Sequence, residues 1–138
     1  MSVTIEVVNP MTREEAMNLK RALDAGQQAL ANAIRGSSRG RMLLGTVAFP
    51  LDLVVAEPID DGWHYVVVTP RNFRWDEVQL DEPSVAFPFA VAEFEVPDMG
   101  SGSGQLAPKA ALAIGSDGKV TIDRFEGDSG RLKEVRRR

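Results

Sequence analysis

The feature that most constrains this chain is a change of period. From residue 41 onward apolar and polar side chains alternate in twos. Val47, Phe49, Leu51, Leu53 and Val55 fall on one side, with Ala48, Pro50, Asp52 and Val54 on the other. Successive side chains of a strand point to opposite faces, so the pattern predicts one long strand with one buried face. Pro50 has no amide proton to give to a ladder and points to a sheet edge or a bulge. Asp61-Gly62 and Asp117-Gly118 are hairpin signals. They lead into Trp63–Thr69 and Lys119–Phe125, which are rich in β-branched and aromatic residues. Ser84–Val96 and Gln105–Ile114 read as further strands, joined by a glycine-serine loop over Asp98–Gly104, and 131–136 as a last short one. Short turns force antiparallel neighbours, so the expected sheet is a meander.

Before residue 41 the pattern differs. Val3, Ile5 and Val7 predict a strand over 2–8, ended by Asn9-Pro10. Thr12 and Glu15 then fit a capping box. Ala16, Leu19, Leu23, Leu30 and Ile34 form a helical stripe. Gly26 interrupts it, because glycine weakens a helix interior but sits freely in a left-handed cap. Two helices are expected, 12–25 and 27–35. Their stripe must be buried, and the apolar face of the sheet is the available partner. The reading is α+β: a curved antiparallel meander sheet of six to seven strands packed on an N-terminal helix pair. At 138 residues the chain fits one domain, 1–138, with a helical segment 12–35 and a β-meander 41–136.

Composition excludes several classes. Twenty acids against 16 bases give a net charge of −4, which argues against nucleic acid as a partner. With no cysteine and one histidine, disulfide scaffolds, thiolate metal sites and sites needing two imidazoles are excluded. No cofactor or metal is expected. No apolar run is long enough to span a membrane, and Met1–Glu6 lacks the basic and apolar regions of a secretory signal.

Three catalytic motifs fail on context. Gly36-Ser37-Ser38-Arg39-Gly40 matches G-x-S-x-G, but a nucleophile elbow runs from strand to helix and here the order is reversed. Ser116-Asp117-Gly118-Lys119 matches S-x-x-K, which needs a helical turn where Asp117-Gly118 demands a tight hairpin. Gly102-Ser103-Gly104-Gln105-Leu106-Ala107 matches a loose dinucleotide pattern without the helix N-terminus that would hold a pyrophosphate.

Three features carry candidate chemistry. The stretch Arg71, Asn72, Phe73, Arg74, Trp75, Asp76 and Glu77 places two aromatics, two arginines and two acids in a long connection. Tryptophan with arginine is the composition of interface anchors, and such loops often carry binding sites. The bland reading is that Phe73 and Trp75 plug the end of the sheet. Glu93 and Glu95 share one side of a strand, roughly 7 Å apart along it. In an apolar pocket they could form an acid/base pair, but the strand can equally leave both in water. His64 faces with Val66 and Val68 and is the only imidazole available for proton transfer. The tail Arg131–Arg138 has five bases to one acid. It reads as a charged edge strand, with contact to the acidic 76–82 region of a second copy as a route to a homodimer.

From Asp61 onward the chain resembles a family of uncharacterised bacterial proteins that are usually exported. The resemblance is carried by Asp61-Gly62-Trp63, Val66-Val67-Val68-Thr69, Phe73-Arg74-Trp75-Asp76-Glu77 and Ala86-Phe87-Pro88-Phe89. It continues through Gly104-Gln105-Leu106-Ala107, Asp117-Gly118-Lys119-Val120-Thr121-Ile122 and Leu132-Lys133-Glu134-Val135, and the segment from Leu23 to Leu30 around Gly26 fits the same pattern. It implies export, periplasmic or extracellular, and assigns no catalytic residue. The functional expectation is a non-enzymatic binding or interaction module. It would hold a small molecule, glycan or peptide through the 71–77 loop and the mouth of the curved sheet. Two alternatives are a hydrolase or isomerase using Glu93 and Glu95, and a carrier of an apolar small ligand.

Overall fold

A computed structural model describes residues 2–44, 47–74, 79–80, 84, 86–126 and 130–137. Strand β1 (Ser2–Val7) leads to helices α1 (Arg13–Asp24) and α2 (Gln27–Ile34). Strands β2 (Gly40–Leu44), β3 (Val47–Leu51), β4 (Leu53–Ile59) and β5 (Gly62–Thr69) follow. Then come β6 (Phe73–Arg74), β7 (Gln79–Leu80), β8 (Phe89–Pro97), β9 (Gly102–Ile114), β10 (Val120–Phe125) and β11 (Gly130–Arg137).

The α+β architecture stands, and the sheet is larger and less simply wound than the alternation predicts. Among the described residues nine strands form one sheet in the order β3-β2-β1-β11-β9-β8-β5-β4, with β10 also paired to β9. Strands β6 and β7 form a separate pair. Hairpin neighbours are antiparallel as expected, but β1 and β11 pair in parallel, Val3 opposite Val135. Parallel pairing needs a long crossover, and here nearly the whole chain supplies it.

The sheet curls on itself. Its concave face holds Ile5, Met42, Phe49, Leu51, Val54, Tyr65, Val67, Phe94, Leu106 and Leu132 in one continuous cluster drawn from both halves of the sheet. The convex face packs Leu53, Val66, Val68, Phe89, Val91 and Leu112 under Ala16, Leu30, Ala31 and Ile34 of the helices. The expected single strand over 47–55 divides at Asp52. Phe49 and Leu51 join the concave cluster, but so does Val54, while Leu53 and Val55 turn to the helices. The phase slips by one residue because Asp52 is buried and its carboxylate faces the exit of α2. There it accepts from the backbone N–H groups of Gly36 (3.1 Å) and Ser38 (3.0 Å). Pro50 lies, as expected, on the terminal strand β3, opposite Arg41.

Locally the helices follow their sequence. Thr12 caps α1, accepting from the Glu15 N–H at 3.1 Å, and Glu15 reaches back to complete the box. Gly26, at φ 122°, separates the two helices. The Asp61-Gly62 signal produces its hairpin with the turn one residue earlier. Asp60 and Asp61 turn, and Gly62 already pairs with Ile59. Gly62 is needed for close approach, since a Cβ there would overlap the Val96 carbonyl.

Candidate functional site

Trp63, Tyr65 and Val67 stand on the concave side of β5, by the alternation of the strand. Tyr65 is directly opposite Phe94 on β8, and their rings stack with centroids 5.3 Å apart. Trp63 is one step further out, opposite Val96. It has passed the last fully packed pair and is 38 % exposed. The β8–β9 turn folds over this end, and the Asp98 N–H donates to the Asp61 carbonyl at 2.7 Å, tying the two hairpin tips together. The result is an open concavity of about 620 Å³ lined by Trp63, Tyr65, Val96, Pro97, Asp98, Gly100 and Ser101. A second, of about 460 Å³, lies across the same turn, lined by Ile59, Asp60, Asp61, Glu95 and residues 97 and 101–103. Ile59 and Met99 are further exposed apolar side chains at these tips.

The sequence-predicted candidates divide between places. Arg71 is exposed just beyond the far end of β5, whose run from Trp63 to Thr69 spans about 20 Å. Asn72 beside it is buried, donates to the carbonyls of Phe87 (2.8 Å) and Pro108 (3.1 Å), and accepts from the Ser84 N–H (2.7 Å). It anchors the whole connection. Phe73 and Arg74 form β6 against β7, with Phe73 opposite Leu80. Trp75, Asp76 and Glu77 lie outside the described residues, as does most of the acidic 76–82 segment. Residues 71–74 and the Trp63 concavity therefore stand at opposite ends of β5.

Glu93, Glu95 and His64 are brought together, on the convex face. His64 Nε2 lies 3.0 Å from Glu93 Oε1, and His64 is register-paired with Glu95 on one side and Glu57 on the other. On β8, Phe89 and Val91 are covered by the helices, and the same face emerges into solvent at Glu93 and Glu95. Glu93 and His64 side chains are 43 % and 24 % exposed, so the pair lacks the water exclusion that strengthens acid–base catalysis. Among the described residues no group of three or more histidine or carboxylate side chains is placed to hold a metal ion.

The three discounted motifs sit in structural contexts. Gly36 (φ 83°) and Ser38 (φ 53°) shape the exit of α2 onto Asp52. Gly118 (φ 83°) closes the β9–β10 hairpin, where the Lys119 N–H donates to Asp117 Oδ1 at 3.1 Å. Gly102–Ala107 is the start of β9. Sequence reasoning passed over Trp63, Asp98 and Ser101. The signal was present: an aromatic in phase with the concave row, adjoining a turn, has no further strand to cover it.

No known protein family, curated protein or solved structure matches this chain. No helix among the described residues is long and apolar enough to cross a membrane.

Proposed function

We propose that this chain is a non-catalytic binding module whose ligand seats at the mouth of the curled sheet beside Trp63. The observation that carries the reading is the indole itself: a large aromatic, 38 % exposed, lining a concavity next to a carboxylate and a hydroxyl. Folding alone favours covering such a surface, and partly apolar concavities with a few polar groups are where ligands bind. Below the indole the concave face is filled by Tyr65, Phe94 and Phe49, so the floor is firm and the opening is preformed. Export, implied by the sequence resemblance, belongs to the same proposal.

The test is an ¹H–¹⁵N correlation titration with a fragment library spanning amines, sugars, carboxylic acids and aromatic rings. Shifts should concentrate on the Trp63 indole and the Gly100 and Ser101 amides. Hits scattered over the surface, or confined to the 71–77 end, would remove the mouth as the site.

A further inference from the structure

We infer that the mouth takes a cationic, arginine-bearing peptide, an assignment that rests on the binding reading above and names its ligand class. Three observations converge. The first is charge pairing across the molecule. Glu6 pairs with Arg41 at 2.6 Å, Glu15 with Arg39 at 2.7 Å, and Glu57 with Arg13 at 2.8 Å. Asp117 and Asp123 also have arginine partners, and Glu93 is within hydrogen-bond reach of His64 at 3.0 Å. Asp98, in the first concavity, and Asp60, Asp61 and Glu95, in the second, have no ion-pair partner among the described residues; Glu14, Asp24 and Glu126 share that, but only the first four line a concavity. No lysine, arginine or histidine is among the described residues lining either concavity. Clefts lined by one sign of charge raise the local concentration of the opposite sign.

The second observation is the indole. Trp63 lines the same concavity as Asp98. A guanidinium is planar and weakly hydrated, stacks on an aromatic face, and presents a donor fork that fits a carboxylate. Its methylene stem can lie along Val96 and Pro97. A neutral sugar would use the indole and leave the carboxylates unanswered, and an anion would be repelled by them.

The third is the spacing of two sites around one turn. Pro97 and Ser101 line both concavities, so they sit back to back. Exposed Ile59, at 39 %, offers apolar cover beside the second. A peptide that crosses the rim at this turn can place one basic side chain on each side of it.

The test uses the full chain carrying Trp75→Phe, so that Trp63 is the only fluorophore of its kind. The probes are acetylated, amidated Arg-Gly-Arg-Gly-Arg, its Glu-Gly-Glu-Gly-Glu counterpart, and neutral cellotetraose. The arginine peptide should shift Trp63 emission saturably at low salt. Its Kd should rise at least tenfold in the Asp61→Asn, Asp98→Asn double variant, and likewise in about 0.3 M salt, where screening is strong. The glutamate peptide should leave emission unchanged. The salt arm needs only the Trp75→Phe chain, so it decides even if the double variant folds poorly. Binding of cellotetraose without the arginine peptide would overturn the cationic assignment and leave the binding reading standing. Silence from the arginine peptide, or binding indifferent to salt and to the variant, also overturns it, while the fragment titration judges the mouth independently.

Discussion

Asp52 sets the face of the longest alternating run in the chain. Its two carboxylate oxygens hold the N–H groups of Gly36 and Ser38. Removing them with Asp52→Ala leaves two part-buried donors without partners, at a cost of about 3 kcal/mol. Asp52→Asn keeps one acceptor and should lose less. Urea midpoints of the three proteins check this order, and an Ala variant as stable as the parent would mean the loop holds itself. The sequence marks Asp52 as the polar member of an alternation but hides the slip beside it. Leu51, Leu53, Val54 and Val55 are all apolar and all buried, so nothing in their chemistry says which face each takes. Trp63 was legible in the same limited way. Its phase is written in the alternation, whereas its exposure depends on where the β8–β9 turn falls.

At the scale of the element, α1 is the best-specified part of the fold, because its cap and stripe are local in sequence. Its N-terminus is also fastened from outside. Arg39 donates to Glu15 at 2.7 Å and to the Asn9 carbonyl at 3.3 Å. The Arg39 guanidinium, and after it the Thr12 backbone N–H, hold the Glu15 carboxyl below the usual carboxylate range. A depressed folded value stabilises the protein above the unfolded pKa, about 4.3, and the contribution fades as pH falls through the folded value. Glu15→Gln keeps the capping box and loses the charge. Its destabilisation should be present at pH 6 and shrink toward pH 3, and a pH-independent gap would show that the ion pair does not contribute. Thr12→Ala should cost about 1 kcal/mol at pH 6. Gln27 fastens α2 in a way no pattern could reveal. Its side-chain amide donates to the Leu112 carbonyl and accepts from the Leu112 N–H, both at 2.9 Å. The register of β8 on β9 reaches only Ala110, so the amide takes the place of the missing strand. Gln27→Ala should expose the Leu112 amide to faster hydrogen exchange while leaving Ala92 on β8 protected.

At the scale of the molecule, β11 is the join. It pairs with β9 on one side and β1 on the other, and β1 carries β2 and β3. Pairing between the two ends of a chain leaves no local signal, which is why a meander was the natural expectation and the parallel β1–β11 contact was not. The join also decides whether the curl behaves as one cooperative unit. Leu132 is buried in the concave cluster that draws on both halves of the sheet. Leu132→Ala should cost about 3 kcal/mol through lost burial and a residual cavity. If the concave cluster is one core, amides of β2 and β5 must lose protection together, by the same free energy, because neither half keeps its apolar face covered without the other. Native-state hydrogen exchange on the variant reads both at once. Loss confined to β1, β2 and β3, with β5 and β8 unchanged, would divide the chain into two units. The mouth at Trp63 would then rest on the β5–β8–β9 half alone, and its preformed floor would survive damage to the rest of the sheet.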